Sequence, residues 1–211
     1  KEKIRLTGNP VRKNISIDTL SRDEALKIFD LSANKKTILV LGGSLGAKTL
    51  NEAMLKMIES KEHIENQYIW QCGKYYFNEL EPKVNNKKQT GIRLLSFITR
   101  MDAAYCAADV IVSRAGALSV SELCLLGKPV ILVPSPNVSE DHQTKNAMSL
   151  VHSDAALMVR DTDCEEELIQ KAESLLNDQG LSDKLSRNIL ALAKPNATSD
   201  IVDETEKIIL K

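Results

Sequence analysis

Long hydrophobic runs and an excess of charge of either sign are both missing from this sequence. No stretch of about 18 consecutive apolar residues occurs, so no membrane-spanning helix is expected. The formal net charge is −1, which gives no overall electrostatic attraction to nucleic acid. With 43% hydrophobic and 27% charged residues, the 211-residue chain has an ordinary globular composition and the length for one α/β domain.

Motifs for disulfides and metals are missing as well. The four cysteines form no C-x-x-C pair, and three of them lie in apolar stretches, which is typical of buried free thiols in a reducing compartment. Neither the cysteines nor the three histidines cluster at the spacing of metal ligands. His63 and His152 lie in charged helical surroundings and are read as surface residues. No metal and no other cofactor is therefore predicted.

The sequence does contain an alternation of short β-branched runs with segments of helical periodicity. Strands are predicted at residues 37–41, 67–72, 92–98, 108–112, 128–134 and 156–159, and helices at 21–29, around 50–58, and at 101–107, 118–126, 140–151, 164–176, 182–193 and after 195. This alternation predicts an α/β fold, a Rossmann-like parallel sheet of about six strands with helices on both faces. Residues 1–36 read as a linker and first helix, 37–195 as the domain, and 196–211 as a C-terminal helix.

Four polar or glycine-rich segments each follow a predicted strand: residues 42–47, 98–101, 113–117 and 135–143. Right-handed crossovers place all strand-to-helix loops at the same edge of a parallel sheet, so these segments are expected to form one pocket. The turn Ala115-Gly-Ala117 carries almost no side-chain bulk. A ligand can approach its backbone closely, and the free N–H groups of the following helix favour an anion.

The glycine-rich segment Gly42-Gly-Ser-Leu-Gly-Ala47 fits neither of two familiar nucleotide motifs. A P-loop needs a second glycine where Ala47 stands, and the dinucleotide fingerprint needs its middle glycine where Ser44 stands. The second strand ends in Gln71-Cys-Gly73, with no acid for a ribose. An ATPase and an NAD enzyme are therefore both unsupported. The segment suits a phosphate or diphosphate, and equally a tight strand-to-helix turn without a ligand.

Glu122 has two interpretations that the spacing leaves open. Ser119-x-x-Glu122 fits a capping box, which would make the carboxylate structural. Alternatively, Glu122 accepts hydrogen bonds from a vicinal diol such as ribose, close to a helix start that binds phosphate. Arg114 precedes the same helix and is either a phosphate ligand or a solvated loop residue.

The cluster Asp141-His-Gln-Thr-Lys-Asn146 is placed beside the same edge. Asp141 and His142 are candidates for acid–base chemistry, or they begin an exposed helix capped by Ser139 or Asp141. Gln143 and Asn146 are three residues apart, so on a helix they share a face and can both hydrogen-bond sugar hydroxyls. The acidic run at residues 161–167 is interpreted as a helix start that complements the helix dipole.

Taken together, the motifs resemble the MurG family of peptidoglycan N-acetylglucosaminyltransferases. The resemblance runs in chain order from Thr7 to about Ala156. It rests on Thr7-Gly-Asn-Pro-Val-Arg12, Gly42-Gly-Ser-Leu-Gly-Ala47, Gln71-Cys-Gly-Lys74, Phe97-Ile98, Arg114-Ala-Gly-Ala-Leu-Ser-Val-Ser-Glu122 and Asp141-His-Gln-Thr-Lys-Asn-Ala147. The family implies the C-terminal half of a GT-B fold, which binds the donor UDP-N-acetylglucosamine. The acceptor, lipid I, and the catalytic base belong to the other half, toward which the last helix is expected to pack.

The resemblance also implies a role for individual residues. Arg12 and Ser44 would contact the diphosphate, and the backbone at Ile98 would bind the uracil edge. Glu122 would hold the ribose hydroxyls. The residues expected to line the nucleotide sugar are Ala117, Leu118, Ser119, Val120 and Ser121, while Gln143 and Asn146 would bind the hydroxyls of N-acetylglucosamine. No residue of this chain is identified as the catalytic base, and no metal is implied.

The family reading carries expectations about the whole enzyme and leaves two alternatives. The opening residues, Lys1-Glu-Lys-Ile-Arg-Leu-Thr7, lack Met and resemble mid-protein sequence, so an excised fragment is expected. The full enzyme would be peripheral at the cytoplasmic face of the bacterial inner membrane and would convert lipid I into lipid II. The alternatives are a separate donor-binding subunit of a split lipid-linked transferase and a non-catalytic nucleotide-binding module.

Overall fold

A six-stranded parallel sheet forms the centre of the molecule. The computed structural model describes residues 4–12, 20–60, 65–86, 91–136 and 141–209. The strands follow the order β3-β2-β1-β4-β5-β6, and every neighbouring pair is parallel. They are β1 Thr37–Leu41, β2 Gln67–Gln71, β3 Ile92–Leu95, β4 Val110–Ser113, β5 Val130–Leu132 and β6 Leu157–Met158. The predicted doubly wound α/β fold is thereby confirmed.

Helices cover both faces of the sheet. They are α1 Arg22–Ile28, α2 Lys48–Ser60, α3 Phe77–Asn86, α4 Met101–Ala107, α5 Ala117–Leu126, α6 His142–Val151, α7 Cys164–Asn177, α8 Gln179–Ala191 and α9 Ala197–Ile209. Side chains alternate along each strand, so Leu39 joins a core with α1, α4, α5 and α6 on one face. Ile38 joins the opposite core, with α2, α3 and α7. No helix of the described residues is long and apolar enough to cross a membrane.

The predicted boundaries differ from the observed ones mainly at strand ends. The third strand stops at Leu95 instead of continuing to Ile98, and the fourth occupies Val110–Ser113 instead of 108–112. Among the residues outside the observed strands, Ile98 and Ala108 are buried and apolar, whereas Ser96 and Asp109 are polar and Phe97 is 47% exposed. An apolar residue near a strand end therefore does not mark where the strand stops. Glu140, the predicted start of the sixth helix, lies outside the described residues, as do His63 and Ser139.

The helix α3 is missing from the sequence-based assignment. Pro82 lies inside it, and proline normally argues against a helix interior. The signal that indicates the helix is the pair Leu80 and Val84, four residues apart and both buried against the sheet.

All four cysteines are buried free thiols, as predicted. Burial raises the pKa of Cys72 and of Cys124 to about 11. Another buried group, the Asn51 side chain, joins α2 to β2: it donates to the Cys72 carbonyl and accepts from the indole N–H of Trp70, both at 3.0 Å. These bonds fix the helix that follows the glycine-rich segment.

The glycine-rich segment, residues 42–47, packs directly against the chain that follows β2. The Lys74 amide donates to the Ser44 carbonyl at 3.1 Å. Gly46 has a φ of +92°, and a Cβ there would lie 2.2 Å from the Cys72 carbonyl oxygen. Gly43 also has a positive φ, +82°, but a Cβ there would meet nothing within 4 Å. Of these two glycines, only Gly46 combines a positive φ with a backbone clash.

We therefore expect Gly46→Ala to lower the free energy of unfolding by about 3 kcal/mol or more, because the added methyl group meets a backbone atom that cannot move alone. The matched control Gly43→Ala meets only the strain of a positive φ, about 1–2 kcal/mol. Urea unfolding followed by circular dichroism measures both. Equal losses in the two variants would contradict the close packing of residues 42–47 against Cys72.

Candidate functional site

A cleft of about 190 Å³ opens at the carboxyl edge of the sheet. The predicted site residues that line it are Arg12, Ser44, Ile98, Ser119 and Glu122. They come from the segment before α1, the β1–α2 loop, the β3–α4 loop and α5. The segments with Ser44, Ile98 and α5 meet because parallel strands deliver the residues that follow them to one edge, and Arg12 reaches this edge from before the first strand.

Charged side chains meet in the cleft at Glu122. Arg12 donates from Nε to Glu122 Oε1 at 3.1 Å and from Nη2 to Oε2 at 3.3 Å. The buried Tyr105 of α4 donates its hydroxyl to the same Oε2 at 3.2 Å. The hydrogen bond to Glu122 raises the pKa of Arg12. The Glu122 side chain is only 13% exposed, and three donors therefore hold a largely enclosed carboxylate.

The capping-box interpretation of Ser119 and Glu122 is wrong. The N-cap of α5 is Gly116, with extended backbone and no side-chain cap, so Ser119 lies at the third helical position and Glu122 in the second turn. Glycine at the N-cap leaves the first N–H groups of the helix without a side-chain acceptor. The helix start therefore presents backbone donors at the edge of the sheet.

Gln143 and Asn146 hold the turn before α5. The Oε1 atom of Gln143 accepts from the amides of Ala115 at 3.2 Å and Ser135 at 2.9 Å. Asn146 donates from Nδ2 to the Ala115 carbonyl at 3.0 Å. They share one face of α6, as predicted, but their hydrogen bonds in the described part of the chain go to backbone groups. Their first effect is to fix the position of the α5 start.

Arg114 also lines the cleft, but its side chain is only 18% exposed and its guanidinium is bound to protein groups. Its Nη1 pairs with Asp161 and donates to the Val133 carbonyl at 3.2 Å, while Nη2 donates to Thr49 Oγ1 at 3.1 Å. The Thr49 hydroxyl in turn donates to Asp161 Oδ1 at 2.6 Å. This group ties the end of β4 to the first turn of α2 and to the segment after β6. The acidic run does lie at helix starts, because Asp161 begins a short 3-10 helix and residues 165–167 occupy the first turn of α7, but Asp161 also pairs with Arg114.

The remaining predicted residues of α5 divide between two sides of the helix. Ala117 and Leu118 are exposed at its start. Val120 packs against the core, and the Ser121 hydroxyl accepts from Asn9 Nδ2 at 3.0 Å. These last two, with Asn146, line a second cleft of about 450 Å³ that does not include Glu122.

The acidic start of α6 differs from what the sequence predicts. Asp141 occupies the N-cap position with a left-handed φ of 55°, but its side chain makes no capping hydrogen bond to the helix. His152, at the other end of α6, is exposed, as expected. Within the described ranges, no three His, Cys, Asp or Glu side chains come together as metal ligands would.

Tyr105 and Asp161 are the functional neighbours that sequence reasoning missed. Tyr105 lies within a predicted apolar helix, where an aromatic residue reads as core. Its polar hydroxyl is the available signal, because a buried phenol needs a hydrogen-bond partner. Asp161 is 47 residues from Arg114, and nothing in the sequence indicates which cation it meets.

A parallel α/β sheet with a polar cleft at its carboxyl edge defines a Rossmann-like domain. Residues 37–201 match the model of the glycosyltransferase family 28 C-terminal domain, and the chain belongs to this family. The resemblance to a glycosyltransferase family is thereby confirmed.

Individual relatives agree with the family assignment. The chain is 51% identical over 210 residues to the UDP-N-acetylglucosamine--N-acetylmuramyl-(pentapeptide) pyrophosphoryl-undecaprenol N-acetylglucosamine transferase of Flavobacterium psychrophilum, covering 99% of this chain and 56% of the relative. The enzyme of the same name from Parabacteroides distasonis is 50% identical over 210 residues, covering 100% and 57%. The crystal structure of Acinetobacter baumannii MurG superposes with a TM-score of 0.73 at 28% identity, covering 98% of this chain and 58% of that one. The chain thus spans about half the length of the curated relatives it matches.

The hydrogen-bonded group of Arg114, Thr49 and Asp161 is expected to contribute to stability. Asp161→Asn removes the charge that pairs with a largely buried guanidinium, so the free energy of unfolding should fall by about 1–3 kcal/mol. The control Asp163→Asn affects an ion pair with Arg160, whose side chain is 75% exposed, and should leave the urea midpoint unchanged. Similar losses in both variants would show that the Arg114 group does not stabilise the edge of the sheet.

Proposed function

We propose that this chain is the donor-binding half of an inverting N-acetylglucosaminyltransferase of peptidoglycan synthesis. It holds UDP-N-acetylglucosamine while the sugar passes to lipid I, giving lipid II. The observation that carries the proposal is the convergence of Arg12, Ser44 and Glu122 on one cleft beside the uncapped start of α5. The names of the 51% and 50% identical relatives supply the sugar and the acceptor.

Donor binding requires Arg12 and Glu122 to exchange partners. In the structure the two side chains satisfy each other through two hydrogen bonds. A nucleoside diphosphate offers each of them a new partner: the diphosphate oxygens accept from Arg12 and Ser44, and the ribose hydroxyls donate to Glu122. Because both charges keep a partner of the right kind, the exchange avoids leaving either one desolvated and unpaired.

The family resemblance supplies the other proposed contacts. The backbone at Ile98 binds the uracil edge, and the first residues of α5, 117–121, border the nucleotide sugar. Since Gln143 Oε1 already accepts two amides, the group left for an N-acetylglucosamine hydroxyl is its Nε2 donor. Asn146 donates to Ala115, and its Oδ1 atom remains as an acceptor for a second hydroxyl.

In the transfer itself, the acceptor 4-hydroxyl attacks the anomeric carbon and UDP leaves. Negative charge grows on the diphosphate as the glycosidic bond breaks. The N–H groups at the start of α5 and the Arg12 guanidinium stabilise that charge. The base that accepts the hydroxyl proton, and the lipid I site, belong to the other half of the enzyme. Residues 1–36 provide the interdomain linker and the first helix, α9 packs toward the other half, and the whole enzyme associates with the cytoplasmic face of the inner membrane.

Calorimetry tests donor binding by the chain. UDP-N-acetylglucosamine is expected to bind more tightly than UDP-glucose, and ATP and NAD are expected not to compete. Glu122→Gln should weaken UDP binding about tenfold, because an amide accepts ribose hydroxyls less strongly than a carboxylate, while binding of inorganic pyrophosphate is not weakened. The control Glu81→Gln, exposed on α3, should change neither. Equal binding of UDP, ATP and NAD would favour a general nucleotide-binding module and contradict the proposal.

Activity is tested separately with a soluble lipid I analogue. The 211-residue chain is expected to release no UDP from UDP-N-acetylglucosamine above the uncatalysed rate, because the base and the acceptor site are assigned to the other half. Adding that half as a separate polypeptide should restore turnover. Turnover by the chain alone would overturn this division of roles.

A further inference from the structure

We propose that Tyr105 is a positioning residue, which fixes the Glu122 carboxylate so that its free lone pairs face the ribose hydroxyls of the nucleotide. This inference deepens the proposed function and rests on it. It concerns the group that remains on Glu122 when Arg12 turns to the diphosphate.

Tyr105 is committed to this contact by its surroundings. It is 2% exposed and belongs to the core formed with α1, α5 and α6. A buried phenol loses its water and needs an acceptor, and its hydroxyl donates to Glu122 Oε2 at 3.2 Å. Because the aromatic ring is held by core packing on the rigid helix α4, the hydroxyl is a fixed point from which Glu122 is oriented.

Counting the acceptor positions of Glu122 shows which of them remain for a ligand beside the Tyr105 hydroxyl. A carboxylate has about four acceptor positions. Arg12 uses one on Oε1 and one on Oε2, and Tyr105 uses one on Oε2. When Arg12 leaves, the bond from Tyr105 persists, and positions on both oxygens are free for a pair of neighbouring hydroxyls. Without the phenol, a three-torsion side chain would have to be ordered by the ligand itself.

The phenol acts as a donor throughout the usual pH range. Burial, together with the neighbouring Glu122 charge, raises the pKa of Tyr105 well above that of an exposed tyrosine. The hydroxyl therefore keeps its proton and cannot become a second negative charge beside the carboxylate.

The test compares UDP with 2′,3′-dideoxy-UDP, which lacks both ribose hydroxyls. Tyr105→Phe keeps the buried ring and should weaken UDP binding about 3- to 10-fold, because the ligand must then order the Glu122 side chain itself, with dideoxy-UDP changed by less than about twofold. Adding Tyr105→Phe to Glu122→Gln should change UDP binding by less than about twofold. A general loss of structure would weaken both nucleotides alike.

The chain offers a matched control in Tyr68, also buried, whose hydroxyl donates to Glu173 at 3.0 Å on the opposite face of the sheet. Tyr68→Phe removes an equivalent bond and should leave the ratio of the two dissociation constants unchanged. If Tyr105→Phe does not fold, the ¹³Cζ resonance of Tyr105 supplies the answer in the intact fold. The chain has four tyrosines, so Tyr→Phe variants at the other three assign it. Glu122→Gln should change the chemical shift of this resonance, because the hydrogen bond to the carboxylate is lost. In the unaltered chain, adding UDP should leave the chemical shift close to its hydrogen-bonded value.

The outcomes separate the two proposals. If the unaltered chain does not bind UDP, the proposed function fails and this inference fails with it. If the chain binds UDP more tightly than dideoxy-UDP but Tyr105→Phe changes both equally or neither, the donor site stands and the role of Tyr105 is overturned. A Tyr105 resonance that ignores Glu122→Gln also overturns it.

Discussion

The parallel direction of all six strands is the constraint on which the site depends. It brings the segments after β1, β3 and β4 to one edge, where Ser44, Ile98 and Glu122 line the same cleft. Arg12 joins them from the segment before α1, through two hydrogen bonds to Glu122 across 110 residues of chain. A fold with antiparallel connections would divide the same loops between two opposite edges.

The polar side chains at this edge fall into two groups: some hold the backbone in place, and others face the cleft. Arg114, Gln143 and Asn146 bind backbone carbonyls, amides and Asp161, and they hold the start of α5 in place. Arg12 and Glu122 bind each other at the surface of the cleft. The position of this backbone matters because an N–H group at the start of α5 has no side-chain torsions of its own. Its direction is therefore set by the segments that pack around it.

The sequence predicted the fold more completely than the contacts of the site. Periodicity places five-residue strands such as Thr37–Leu41 because burial on both faces of a parallel sheet demands a continuous apolar run. It misses α3, where Pro82 obscures a helix that packing stabilises. The motifs identify Ser44 and Glu122 as candidate site residues, and the parallel topology is enough to place both in the cleft. The partners of Arg114 and Glu122 were not predictable, because which side chain meets which across distant elements depends on three-dimensional packing.

Gly46 and Gly73 lie back to back where the loop after β1 crosses the loop after β2. A Cβ on Gly73 would lie 2.1 Å from the Gly46 amide nitrogen, and one on Gly46 would lie 2.2 Å from the Cys72 carbonyl oxygen. Each clash is with main chain, so no change of side chain elsewhere relieves it. In a saturation library of this chain, only glycine should be tolerated at either position, and a substitution at one should not compensate for a substitution at the other. The backbone at this crossing is therefore constrained, whereas the side chains elsewhere along the edge can vary.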